Sequence, residues 1–361
     1  MARILYVAYP LLTVTDESAG GAEQVVWSLE REVARRGVLT TVAASAGSRV
    51  SGELFSTGEP CTQPDDYERR RIEHEDRVMD FVHRCAREGK PFDLIHDMSG
   101  SLWKRAAEID VPVLATLHLP RSFYPAGSFF DVPANVSFNC VSDSQARSFA
   151  DLDALDAVVP NGIALDCYAW NDAALIRDSG RKGLLWLGRI CEEKAPHLAL
   201  EIAEEARLPI TIAGQVYPFS YHQQYFEREV VPRLRSIPNA RFVPAPPAEL
   251  KRRLLREAQV LLITSLAEET SSLVAMEAAA SGTPVIALRR GALPEVVREG
   301  VTGFLVEDGH QAVLALQKVS GIRRKACVQH AQKNFSAVKM AERYSELYER
   351  LVLPEMALRF A

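Results

Sequence analysis

Two doubly wound α/β units, each a parallel sheet with helices on both faces, are the architecture this sequence predicts. Three observations carry it. At 361 residues the chain has the length of two typical domains rather than one. Short apolar, β-branched runs alternate with stretches of helical periodicity, as buried parallel strands joined by crossover helices do. Midway, after a polar irregular stretch, the same alternation begins again.

In the first half, "RILYVAY", "LTTVAAS", "DLIHDM", "PVLATLH" and "FNCVSD" read as strands. Between them, 22–36 and 75–88 carry apolar residues at helical spacing, with Val25, Val26, Leu29 and Val33 on one face of the first. Gly37 is placed to end that helix. The segment 47–73 reads as irregular, and "DLDALD" at 151–156 as a polar, helix-like acidic stretch. The polar run "VVPNGIALDCYAWNDAALIRDSGRKG" marks the junction, giving a first domain over 1–162, a linker over 163–180 and a second domain over 181–335. There "GLLWLGR", "PITIAG", "RFVPA", "QVLLITS", "PVIAL" and "GFLV" are the strands. No strand follows "NFSAVKMAERYSELYERLV", so residues 336–361 are expected to return as a helix to the first domain. Ligands of such sheets sit at the carboxyl ends of the strands, and with two domains a cleft between them is the expected site.

Composition narrows the function. The chain is 47% apolar and 25% charged, the proportions of a soluble globular protein, and its 42 basic and 47 acidic residues leave a net charge of −5. That balance argues against a nucleic-acid partner. Basic clusters such as "ERRRIEH" and "KRRLLRE" alternate with apolar residues and read as solvated helix faces. Six cysteines without metal-site or redox spacing suggest reduced thiols in a cytoplasm. No apolar run reaches bilayer-spanning length, and "ILYVAYPLL" reads as a first buried strand rather than a signal peptide. Peripheral contact with the inner membrane face stays open.

The most informative stretch is "SLAEETSSLVAMEAAASGTPVIALRRG", 265–291. It follows a buried strand and contains a helix that Ser271 or Ser272 is expected to cap, that Gly282 ends, and that Pro284 prevents from continuing. The first amides of that helix, at Leu273 and Val274, form a seat for an anion. Glu269 precedes the helix and Glu277 lies within it, about 7 Å along the axis from Ser272. Ionised carboxylates accept hydrogen bonds, and a vicinal diol offers two donors. Two acceptors bracketing an anion seat would fit a diphosphate with a diol at each end, as in a nucleotide sugar. For an isolated pair of glutamates, a solvated surface is the plainer reading.

Other residues are candidates with their own plainer readings. Arg189 and Lys194 follow a strand and precede a helix, with Gly188 permitting close approach, which suits a diphosphate leaving group. Gly20 and Gly21 open a helix after the first strand, where backbone can approach phosphate, although a glycine pair is commonly a turn. His118 and His96 end strands, where a histidine is commonly a hydrogen-bonded loop residue. His74, His83, His197, His222, His310 and His330 fall in helical or loop patterns and call for no special role. Asn161 and Gly162 suit a turn, and Glu295 suits a helix start.

Taken together, "EETSSLVAMEAAASGTPVIALRRGALPEVVREGVTGFLV", "SAGGAEQVVWSLEREVARRG", "TLHLP", "VVPNGI" and "LGRICEEKAPHLALEIA" resemble glycosyltransferase family 4, retaining enzymes of the GT-B fold. The resemblance runs along nearly the whole chain. It implies two Rossmann-like domains facing a cleft, the first on the acceptor side and the second on the donor side. It implies that Glu269 contacts hydroxyls of the donor sugar, that Glu277 contacts the ribose, and that the amides of Leu273 and Val274 meet the diphosphate. Gly20 and Gly21 would lie over that diphosphate, and His118 would touch the transferred sugar. It further implies a nucleotide-sugar donor, UDP-linked before GDP-linked, and a hydroxyl acceptor (glycan, lipid-linked or small molecule). The leaving phosphate would take the acceptor's proton, with no cofactor and no metal. Thr270, Ser271 and Ser272 stand where many members have proline, an aromatic and glycine, and Ala195 where glycine is frequent. Those departures bear on the identity of the sugar. Rival readings are a non-catalytic nucleotide-sugar-binding protein, an epimerase of the same two-domain fold, and a metal-dependent transferase using the Asp-x-Asp of 151–153.

Overall fold

The computed structural model describes the backbone of residues 2–61, 63–168 and 183–359. It separates into two units, Met1–Gly162 with Ala337–Ala361, and Ile163–Ser336. Each holds one all-parallel sheet, and among the described residues no helix is long and apolar enough to cross a membrane.

The first sheet has seven strands: β1 (Arg3–Val7), β2 (Leu39–Ala44), β3 (Glu53–Ser56), β4 (Leu94–Asp97), β5 (Val113–Thr116), β6 (Val136–Cys140) and β7 (Leu155–Val158). Their order is β3-β2-β1-β4-β5-β6-β7, so the chain reverses direction of winding between β1 and β4. The central strands are buried on both faces, which is why they read as continuous apolar runs. The two outermost strands were not expected. β3 lies inside the segment read as irregular, and β7 begins at Leu155 in the acidic stretch read as helix-like. Edge strands are half exposed, so their polar residues erase the apolar run that betrays a central strand.

Helices α1 (Gly21–Ala34) and α2 (Tyr67–Arg87) cover the two helical patterns of the first half, although α2 begins at Tyr67, inside the segment read as irregular. Gly37 takes φ +85° just beyond α1, where its amide bonds the Ala34 carbonyl at 2.9 Å. The last helix, Ala337–Arg359, packs in the first unit against α1 and β4. A buried polar network fixes it there. His96 bonds Tyr348 Oη (2.8 Å) and Thr116 Oγ1 (2.7 Å), Thr116 bonds Asn139 Oδ1 (2.7 Å), and Asn139 Nδ2 donates to Tyr344 Oη (3.0 Å). Both ring nitrogens of His96 are therefore committed to structure.

The second sheet has six strands: β8 (Leu184–Leu187), β9 (Ile210–Gly214), β10 (Ala240–Pro244), β11 (Val260–Ile263), β12 (Val285–Leu288) and β13 (Gly303–Val306). Their order is β10-β9-β8-β11-β12-β13. The winding reverses between β8 and β11, and the carboxyl ends of those two strands flank the crevice where such sheets bind ligands. Of the stretch read as a linker, Ile163 bridges Ser336 and Leu165–Tyr168 forms a short 3-10 helix, both within the second unit. Residues 169–180 lie outside the described residues.

Candidate functional site

The loop after β8 carries Arg189 and Lys194. Its course is dictated by close backbone packing, since a Cβ on Gly214 would fall 1.7 Å from the Gly188 carbonyl oxygen. A 3-10 turn over Glu192–Lys194 ends at Ala195, whose φ of 47° explains why glycine is frequent there in the resembling family. Thr264 Oγ1, after β11, donates to the Ala195 carbonyl at 2.8 Å and accepts from Trp186 Nε1 at 3.0 Å. The Leu266 amide bonds the Glu193 carbonyl at 2.8 Å. The loops following β8 and β11 are thus tied together at the switch point.

This tie brings Lys194 to Glu269, 75 residues away, with Nζ 2.5 Å from Oε1. Ser265 Oγ bonds the same carboxylate oxygen. Burial pushes the Glu269 carboxyl up, but the charge and hydrogen bond of Lys194, the Ser265 hydroxyl and the Arg189 charge together hold it below the usual carboxylate range. Glu269 is therefore an anion at neutral pH with only 9% of its side chain exposed. Arg189 pairs with Glu193 at 2.7 Å. Gly291, which drew no attention in the sequence, holds the Glu269 backbone. Its φ is +54°, a Cβ there would sit 2.2 Å from the Glu269 carbonyl oxygen, and the next amide, Ala292, bonds that oxygen at 2.7 Å.

Helix Leu273–Ala280 follows. Its start corrects the expected capping: Ser272 occupies the N-cap position in the left-handed conformation, φ 69° and ψ 70°, and neither serine caps the helix. A side-chain cap requires an extended backbone at that position. Ser271 Oγ and Ser272 Oγ are instead buried without a hydrogen-bond partner, beside a helix start whose first amides, at Leu273 and Val274, have no intrahelical acceptor. Such unmet polar groups mark a place where a ligand's oxygens would be welcome. One turn on, Glu277 is buried and accepts on Oε1 from Tyr168 Oη (2.8 Å) and Lys251 Nζ (2.6 Å). Neither partner was legible, because the first comes from the polar stretch at the junction and the second from a helix that reads as a solvated face.

In the first unit, Gly20 is the N-cap of α1. The space a Cβ would fill is taken by Glu23, whose Oε2 lies 1.9 Å from that position. Burial lifts the Glu23 carboxyl to about 7 against its backbone hydrogen bond. The Glu23 carboxyl therefore packs against Gly20 from within the chain, a feature not drawn from "GGAE". His118 follows β5, and burial brings its imidazole down to about 4, so it is neutral at neutral pH. Asp151, of the Asp-x-Asp pattern, pairs with Arg121 at 3.0 Å, and Asp156 with Arg350 at 3.0 Å.

The structure thus brings Gly188, Arg189, Lys194, Glu269, Ser272, Leu273, Val274 and Glu277 into one unit, along the carboxyl ends of β8 and β11 and the helix after them. Gly20, Gly21 and His118 belong to the other unit.

Residues 181–320 match the family described as glycosyl transferases group 1. D-inositol 3-phosphate glycosyltransferase of Corynebacterium efficiens is 31% identical over 234 residues, covering 57% of this chain and 53% of that protein. The chain spans about half the length of the curated relatives it matches. Sucrose-phosphate synthase from Thermosynechococcus elongatus superimposes with a TM-score of 0.77 at 20% identity, over 98% of this chain and 100% of that one. Anabaena HepE, solved in complex with UDP-glucose, gives 0.75 at 14% identity, over 97% and 100%. The chain has the GT-B fold, and within it residues 181–320 are similar to the group 1 glycosyl transferases.

Proposed function

We propose that this chain is a retaining glycosyltransferase that moves a sugar from a nucleotide-diphosphate sugar to a hydroxyl acceptor, with no metal ion needed for transfer. The observation that carries the reading is the convergence of Lys194, Arg189 and Glu269 at the switch point, beside a helix start with two buried, unpartnered serine hydroxyls. A UDP-sugar is favoured over a GDP-sugar, in keeping with the UDP-glucose bound to HepE.

In this reading the diphosphate rests on the Leu273 and Val274 amides, with the Ser271 and Ser272 hydroxyls turned to its oxygens. Charge grows on the diphosphate as the anomeric bond breaks, and Arg189 and Lys194 would meet it. Lys194 would share its ammonium between Glu269 and the departing phosphate. Glu269, kept ionised, accepts from donor-sugar hydroxyls, and Glu277 accepts from the ribose while Tyr168 and Lys251 hold it. The leaving phosphate oxygen takes the acceptor's proton on the face from which it departs, so retention needs no protein base. His118, neutral, would serve as a hydrogen-bonding partner of the transferred sugar, and Gly20 and Gly21 would lie over the diphosphate.

The test is a thermal-shift screen of UDP- and GDP-sugars followed by nucleotide release with pooled acceptors, with and without chelator. Stabilisation by a UDP-sugar and acceptor-dependent, chelator-insensitive UDP release are expected. Donor binding without release from any acceptor would make the chain a nucleotide-sugar-binding protein instead. Release lost in chelator and restored by manganese would overturn the metal-free reading.

A further inference from the structure

Beside Arg189 lies a set of side chains that the transfer reading leaves idle. The Cys191 Sγ, a Glu193 carboxylate oxygen and a ring nitrogen of His222 all lie within 4.8 Å of one another. Among the described residues it is the sole cluster of this kind. We propose that Cys191, Glu193 and His222 form a binding site for one soft divalent transition-metal ion, with zinc the best fit.

His222 is the main support. Its side chain is fully buried, yet neither ring nitrogen has a hydrogen-bond partner. Buried imidazole nitrogens are nearly always satisfied, so two unmet ones on a single ring call for a ligand. The ring packs edge-on with Tyr221 and Phe219 and tilted against Tyr217, with centroids at 4.2, 5.4 and 6.1 Å. Those rings form an apolar wall that fixes its orientation and contributes no competing acceptor to it. Cys191 is also fully buried; its thiol lies 3.4 Å from the Arg189 carbonyl and hydrogen-bonds the Glu193 carboxylate, the neighbour with which it would share an ion.

The donor set suits zinc, which takes thiolate, imidazole and carboxylate together in four-coordinate sites. Calcium and magnesium, which prefer oxygen, would gain little from a thiol and an imidazole. On binding, the Cys191 proton leaves to solvent and a Zn–S bond forms. The thiolate and the Glu193 carboxylate then neutralise the two charges of the ion. Three protein ligands leave a fourth position for water or another donor. Glu193 also accepts from the Arg189 guanidinium at 2.7 Å, and its second carboxylate oxygen leaves room for both partners. The local charge rises by one, because the ion brings two and the thiol gives up one. The His222 position escaped the sequence reading because it lies 31 residues from Cys191, in a short helix after β9.

The full-length protein, freed of metal by dialysis, is titrated with cobalt(II) and then with zinc. One ion per chain is expected, with a thiolate-to-cobalt charge-transfer band that zinc abolishes. Cys191→Ser should remove the band. Cys191→Ser and His222→Gln should each weaken zinc binding by at least the roughly 10–100-fold that loss of an outer-shell partner brings. Absence of the band in wild type, or its survival in folded Cys191→Ser, overturns the site. So does unchanged zinc affinity in His222→Gln. Because the wild-type spectrum is itself decisive, a variant that fails to fold does not rescue the proposal. Donor and acceptor play no part in these measurements, so their outcome is independent of the transfer reading.

Discussion

Replacing Lys194 by methionine keeps most of the aliphatic stem and removes the ammonium, leaving the Glu269 carboxylate without the cation 2.5 Å from it. For a fully buried pair such a loss costs about 3–5 kcal/mol, and for an exposed pair about 0.2–1. Here the carboxylate is 9% exposed and the lysine 33%, so about 1–3 kcal/mol is expected at neutral pH. The pH dependence carries a sign. In wild type the Glu269 pKa lies below its unfolded value, so its contribution is present above that value and lost as pH falls through the folded pKa. In Lys194→Met, burial acts with less opposition and the carboxyl moves upward, so the variant favours the protonated form. The stability gap between the two proteins should therefore be wide at pH 7 and close on acidification towards pH 3.5. Urea denaturation of wild type, Lys194→Met, Glu269→Gln and the double variant at both pH values measures the gap and the coupling. A coupling below about 0.5 kcal/mol at pH 7, or a gap that does not narrow at pH 3.5, would refute the buried ion pair as drawn.

Arg189→Ala is expected to lower kcat for sugar transfer by about 10²–10³, the loss typical of one donor to a developing oxyanion, and steady-state nucleotide release checks it. Glu23→Gln should remove a pH-dependent cost of about 3 kcal/mol, the worth of a carboxyl lifted from 4.5 to about 7. Because a raised carboxyl loses stability as pH climbs through its folded value, the glutamine variant should gain on wild type between pH 5 and 8, read by denaturant titration. Gly291→Ala should destabilise by about 2–4 kcal/mol, since its left-handed backbone would drive a methyl into the Glu269 main chain. Its activity should fall further than its stability explains, which comparison at a permissive temperature resolves.

Local chemistry determined much of what could be read directly from this chain. Buried strands announced themselves as apolar runs because both faces of a parallel sheet are covered, and Glu269, Arg189 and Lys194 stood out because each follows a strand, Glu277 because it lies one turn into the helix after Glu269. Only the tertiary structure decided what those residues do to one another. Lys194 and Glu269 are 75 residues apart, and their pairing exists because β8 and β11 are neighbours at the point where winding reverses. The unpartnered serine hydroxyls follow from a left-handed residue at 272, a backbone angle that Ser-Ser does not disclose. Edge strands β3 and β7, the His96 network, and the meeting of Cys191, Glu193 and His222 were equally hidden. The reason is common to all of them. Periodicity records which face of an element is buried, whereas a site depends on distances between elements, and those are set by sheet order and backbone conformation.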